Sequence, residues 1–172
     1  MSAPTASRHD SLAATDTAAH EQRARDRLTV GVIEDSDEDF AIFARVFRRM
    51  ASDAEVKRWT RAEAALAQLT EDEEAPRPDV LVVDLSLPGI DGCELVRRLR
   101  KHPETSGVPM FMLSGSDRQM DIERCLEAGA TGYFSKSPRS ADLQAVLDQI
   151  LSAAQSDEGE APGTGGVVAP GR

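Results

Sequence analysis

Three carboxylates, a hydroxyl and an ammonium stand at matching places in this sequence, each closing a short apolar run: Glu34-Asp35, Asp84, Ser114 and, after Ser135, Lys136. Brought together, three carboxylates repel and raise one another's pKa unless a cation joins them. All-oxygen ligation with few protein ligands and several retained waters is the preference of Mg²⁺. Lys136 neutralises part of the remaining charge. The chemistry this set suits is a hard-cation site in which one central carboxylate attacks a phosphoryl group.

The elements that must position these residues are legible in the middle of the chain. Apolar, β-branched runs at Leu28–Ile33, Val80–Leu85, Val108–Leu113 and Ala130–Phe134 predict strands buried on both faces, as in a parallel sheet. Glu55–Trp59 is more mixed and predicts a strand nearer the edge. Between them run helical patterns. Phe40, Phe43, Ala44, Phe47 and Met50 share one helical face, as do Leu143, Val146, Leu147, Ile150 and Leu151. Weaker stripes are Ala62/Leu66/Leu69, Leu95/Val96/Leu99 and Ile122/Cys125/Leu126. Reciprocal caps are expected at Ser36/Asp39, Thr60/Glu63, Asp91/Glu94 and Ser116/Gln119, and Gly129 stands where a helix end needs a left-handed residue. Strict alternation of five strands and five helices gives an open parallel sheet covered on both faces. Ligands then sit at the carboxyl ends of the strands, where the polar residues fall.

Composition narrows the function classes. The chain has 172 residues with 20 basic and 30 acidic side chains, a net charge of −10. That balance excludes a basic footprint for nucleic acid, and no Lys/Arg cluster suits an anionic membrane. No apolar run approaches the roughly 20 residues that span a bilayer. Residues 1–28 resemble neither a signal nor a transit peptide, and the expected location is cytoplasmic. Residues 1–28 read as a flexible extension, 29–152 as one domain and 153–172, with five Gly and two Pro, as a disordered tail. The middle holds 15 basic and 23 acidic residues, so −8 of the charge lies there. Cys93 and Cys125 show no metal spacing or disulfide framework and read as packing residues. Asp35-Ser36-Asp37-Glu38-Asp39 imitates a calcium loop but has Phe40 and Val46 where Gly and Glu belong. Asp37, Glu38 and Asp39 are then helix-start charges. Glu71–Glu74 reads as a solvated helix end. Gly163-Thr164-Gly165-Gly166 follows no strand and is linker, and Trp59 is structural.

Four stretches together resemble the receiver domain of two-component response regulators over about residues 29–152. They are Val32-Ile33-Glu34-Asp35-Ser36, Val82 to Gly92 (VVDLSLPGIDG), Met112-Leu113-Ser114-Gly115, and Gly129 to Lys136 (GATGYFSK). The resemblance implies a flavodoxin-like (βα)5 fold with strand order 2-1-3-4-5. It implies Asp84 as phosphoacceptor, with Glu34, Asp35, Asp84 and the backbone carbonyl of Ser86 holding Mg²⁺. Ser114 is then the switch hydroxyl, Lys136 the phosphate-contacting lysine and Tyr133 the aromatic switch that turns inward on phosphorylation. The family usually has Pro directly after the lysine; here the run is Lys136-Ser137-Pro138, which puts Pro138 at the start of the last helix.

The function this implies is a single-domain regulator like those of chemotaxis and phytochrome signalling, and not an enzyme beyond its own phosphotransfer and dephosphorylation. Its partners are a sensor histidine kinase, a downstream protein target, and a second copy through the face of the fourth helix, fifth strand and fifth helix. Two other classes share part of the pattern. A Mg²⁺-dependent phosphatase or phosphotransferase uses the same aspartyl-phosphate logic but places an acid where Ser86 stands. A phosphorylation-independent scaffold keeps the fold only.

Overall fold

The computed structural model describes residues 27–72, 77–136 and 140–155. Five strands alternate with five helices: β1 (Thr29–Ile33), α1 (Asp37–Met50), β2 (Glu55–Trp59), α2 (Ala62–Glu71), β3 (Val80–Val83), α3 (Gly92–Arg100), β4 (Met110–Ser114), α4 (Gln119–Glu127), β5 (Gly132–Ser135) and α5 (Ser140–Gln155). All strand pairs are parallel, in the order β2-β1-β3-β4-β5.

The alternation of side chains along a strand explains the two layers. Val30, Val32, Val80, Val82, Phe111, Leu113 and Phe134 point to one face, where Phe43, Val46 and Phe47 of α1 and Leu143, Leu147 and Ile150 of α5 cover them. Ile33, Leu81, Val83, Met110, Met112 and Tyr133 point to the other, under α2, α3 and α4. Phe47, Leu147 and Ile150 are fully buried, each stabilising the fold by about 1.5–3 kcal/mol. The edge strand β2 is the least buried, as its mixed composition predicts.

Several boundaries differ from the sequence expectation for local reasons. The N–H groups of Gly129 and Ala130 turn back to the α4 carbonyls of Leu126 and Cys125, so Ala130 finishes a helix rather than starting β5. Gly129 has the expected left-handed backbone, φ +103°. At β4, Val108 belongs to the preceding turn, its N–H on the Thr105 carbonyl, and pairing begins at Met110.

Two of the four expected caps form on one side only, and two do not form. The Ser36 hydroxyl accepts from Asp39 N–H at 3.2 Å and the Asp91 carboxylate from Glu94 N–H at 2.9 Å. Arg61 rather than Thr60 is the α2 N-cap, and Glu63 reaches the Ile90 N–H at 3.1 Å instead. Arg118 rather than Ser116 precedes α4, and Gln119 bonds Glu123.

The cysteines also depart from expectation. Cys93 in α3 and Cys125 in α4 are joined as a disulfide, Cα–Cα 4.8 Å. Sequence spacing does not show that parallel packing on one sheet face sets these two helices side by side. Cys125 is the one buried residue of α4, and Arg124 of the same helix pairs at 2.9 Å with Asp91, the N-cap of α3. Residues 1–26, Ser137-Pro138, Glu73-Glu74 and the segment from 156 onward lie outside the described residues.

Candidate functional site

The carboxyl ends of β1, β3, β4 and β5 lie side by side and bring the singled-out residues together. Backbone bonds fix the spacing: Asp84 N–H donates to the Ile33 carbonyl at 2.9 Å, Glu34 N–H to that of Trp59 at 2.9 Å, and Lys136 N–H to that of Ser114 at 2.7 Å. Glu34, Asp35 and Asp84 each place a carboxylate oxygen within 4.8 Å of the other two. Glu34 and Asp84 are buried, at 5% and 6% exposure, while Asp35 faces solvent.

Lys136 ties the acids together. Its Nζ lies 2.7 Å from Glu34 Oε2, 2.7 Å from Asp39 Oδ2 and 3.2 Å from Asp84 Oδ1. Burial pulls this ammonium's pKa down, but the carboxylates of Asp39 and Glu34, and then Asp84, outweigh burial and hold it above the ordinary lysine value. Burial pushes the Glu34 carboxyl up, against the opposing pull of Lys136 and of the Ser36 N–H. A charge this costly to bury is a ready ligand for a cation. The clustered carboxylates of Glu34, Asp35 and Asp84, an all-oxygen donor set, fit a hard divalent ion rather than a soft one.

The remaining residues frame the cleft. Ser86 N–H donates to Asp84 Oδ2 at 3.1 Å, setting the acid's rotamer. Ser114 is fully buried, and its hydroxyl accepts from Ser116 N–H at 3.2 Å. Tyr133 is turned inward, 3% exposed, its hydroxyl donating to the Ser116 carbonyl at 2.8 Å. The phenol thus packs inward beside the Ser114–Ser116 loop. Burial raises the Tyr133 pKa.

Two residues of the site escaped the sequence reading. Asp39 was a helix-start charge there; in the fold, the first turn of α1 aims it at Lys136. Arg58 had no role, yet its guanidinium spans the β1–α1 loop, donating to the Glu34 and Asp35 carbonyls. Only the return from the acidic run to β2, 23 and 24 residues along the chain, makes those contacts, and no local pattern marks them.

A doubly wound parallel sheet with an acidic cleft and a lysine at its switch point defines a class of α/β modules. The family model of the response regulator receiver domain matches residues 30–148, and the chain belongs to that family. It is 33% identical over 128 residues to the phosphate regulon transcriptional regulatory protein PhoB of Rhizobium meliloti, covering 74% of this chain and 54% of PhoB. The chain thus spans about half the length of that relative. It is 29% identical over 124 residues to the response regulator Rcp1 of Synechocystis, covering 70% of this chain and 84% of Rcp1. The Mn²⁺-bound Rcp1 structure superposes with a TM-score of 0.66 at 27% identity, over 78% of this chain and 99% of that one. The receiver domain of the sensor histidine kinase PA1611 of Pseudomonas aeruginosa, with magnesium in its active-site cleft, gives 0.62 at 25% identity, over 73% of this chain and 98% of that one. Among the described residues no helix is long and apolar enough to cross a membrane.

Proposed function

We propose that this chain is a phosphorylation-controlled response regulator whose Asp84 accepts a phosphoryl group from the phosphohistidine of a sensor kinase. Residues 29–152 are the receiver domain, flanked by 1–28 and 153–172. The P–N bond of the donor breaks as a P–O bond to the Asp84 carboxylate forms, and the imidazole leaves. Glu34, Asp35, Asp84 and the Ser86 carbonyl would hold Mg²⁺, which supplies positive charge to the transferring group. Lys136 contributes a second positive charge from the chain itself. Once the aspartyl phosphate exists, Lys136 and the Ser114 hydroxyl donate to it, and each charge-assisted bond is worth about 1.5–3 kcal/mol. The Ser114 loop is the element that this energy biases, and Tyr133 follows it.

The observation that carries the reading is Lys136 Nζ held among Glu34, Asp39 and the buried Asp84, at the one place where the strand ends converge. Ser86 stands where a phosphatase of this type needs a second acid, which favours a signalling role over turnover. Output is then a cytoplasmic protein contact, with a downstream target or a second copy through α4, β5 and α5. Incubation with phosphoramidate or acetyl phosphate and Mg²⁺, followed by intact mass, tests the reading. A gain of one phosphoryl group in the wild type and none in Asp84→Asn is expected. No adduct on the wild type, or an undiminished one in Asp84→Asn, refutes it.

A further inference from the structure

Arg58 lies on the edge strand β2, outside the acidic cleft, and ends in an unusual position. Its Nε donates to the Glu34 carbonyl at 3.0 Å and its Nη2 to the Asp35 carbonyl at 3.2 Å. The third nitrogen, Nη1, donates to Asp37 Oδ1 at 2.6 Å. The guanidinium carbon sits 4.6 Å from the centroid of the Phe40 ring, which supports its plane. The side chain is 18% exposed although β2 is a sheet edge. The register explains how it reaches: Arg58 pairs with Val32, Trp59 pairs with Ile33, and the Glu34 N–H closes onto the Trp59 carbonyl.

All three nitrogens of the fork are therefore spent on one loop, and two of them on the backbone of the two consecutive acids. Those carbonyls follow the end of β1, where the ladder has run out and no strand partner remains for them. A lysine donates its three N–H groups from one flexible nitrogen, and it lacks the rigid planar fork by which Nε and Nη2 each meet a separate carbonyl.

We propose that Arg58 is a positioning residue for the divalent cation: it fixes the backbone of Glu34 and Asp35 so that both carboxylates face Asp84. The proposal rests on the metal-dependent reading of the site and extends it to a residue that touches neither metal nor phosphoryl group. Two physical accounts of Arg58 give opposite signs. If the guanidinium acts as a nearby positive charge, it repels a cation, so its removal tightens Mg²⁺ binding and Arg58→Lys changes nothing. If it acts as a fork, removal loosens the loop and weakens binding, and Arg58→Lys fails to replace it.

The test is a calorimetric Mg²⁺ titration of wild type, Arg58→Gln and Arg58→Lys, with phosphoramidate labelling at low and saturating Mg²⁺. Partners that orient metal ligands typically alter metal affinity 10–100-fold. We expect about tenfold weaker Mg²⁺ binding in both variants, as these bonds reach the ligands' backbone. Labelling should lag at low Mg²⁺ and recover to the wild-type extent at saturation, a recovery that a misfolded variant would not show. Tighter binding in Arg58→Gln, wild-type affinity in Arg58→Lys, or a labelling defect that persists at saturating Mg²⁺ overturns the proposal. If the wild type itself binds no Mg²⁺, the metal-dependent reading fails instead, and the two failures are distinct.

Discussion

Replacing Lys136 by Met removes the only cation that, among the described residues, contacts the two buried carboxylates, and the cost can be bounded from two sides. Removing one partner of a buried pair costs about 3–5 kcal/mol, because the other charge is left uncompensated. Glu34 and Asp84 side chains are 7% and 6% exposed, but Lys136 is 21% and Asp39 40%, so water already screens part of the cluster. That places the loss near or below the low end of the range. The upper bound comes from proton uptake. Rather than keep its charge, Glu34 binds a proton, and from an ordinary 4.5 to pH 7 this costs about 1.36 kcal/mol per unit, or roughly 3.4 kcal/mol. We expect Lys136→Met to lose about 2–3 kcal/mol of unfolding free energy at neutral pH.

The uncompensated Glu34 charge also sets the sign of the pH dependence. In the variant, the native state binds a proton on Glu34 that the unfolded chain has released, through the window above 4.5. Stability then rises as pH falls into that window, so the deficit against wild type shrinks towards about pH 5. Mg²⁺ takes over the lost counter-charge and should stabilise the variant more than the wild type; a ligand at 100 times its Kd adds about 2.7 kcal/mol. Urea unfolding at two pH values, with and without Mg²⁺, reads all three quantities. A loss below about 1 kcal/mol, a deficit that grows on acidification, or a smaller Mg²⁺ effect in the variant would refute the reasoning, since each contradicts the uncompensated-charge account.

Tyr133 is the chain's one tyrosine, so its phenolate absorbance titrates alone. Burial places the midpoint above the ordinary 10.0, with stabilisation present below that value and lost as pH rises through the folded one; a midpoint at or under 10.0 would remove the buried hydrogen bond to Ser116. The Cys93–Cys125 bond spans 32 residues, for which loop-closure entropy gives about 3–4 kcal/mol. Reductant should lower the urea midpoint of the wild type and leave the Cys93→Ala/Cys125→Ala variant unchanged, whereas identical wild-type curves with and without reductant would contradict the bond.

The sheet was legible because its strands are apolar on both faces, and residues such as Val80–Val83 have few other places to go. The site was legible because strand order converts four separate sequence positions into neighbours. What escaped depends on distances that sequence periodicity does not encode. Asp39 and Lys136 are 97 residues apart, and Asp39 looks like any other first-turn acid. Arg58 reads as one charge on an edge strand, and its use follows from register. Thr60 and Ser116 have the residue types of caps, but Glu63 finds the Ile90 N–H and the Ser116 hydroxyl finds Asp121 at 2.6 Å, so tertiary partners win over local ones.

The two walls of the cleft differ in compliance. At Gly92, the first residue of α3, even a methyl group would overlap the backbone carbonyl of Asp84 and crowd Met112. At Gly115, directly after Ser114, a methyl group would meet nothing within 4 Å. The Asp84 backbone is thus packed hard against the first residue of α3, while the position after Ser114 has room for a larger side chain. A substitution that enlarges residue 92 therefore has to displace Asp84 itself, whereas one at 115 does not.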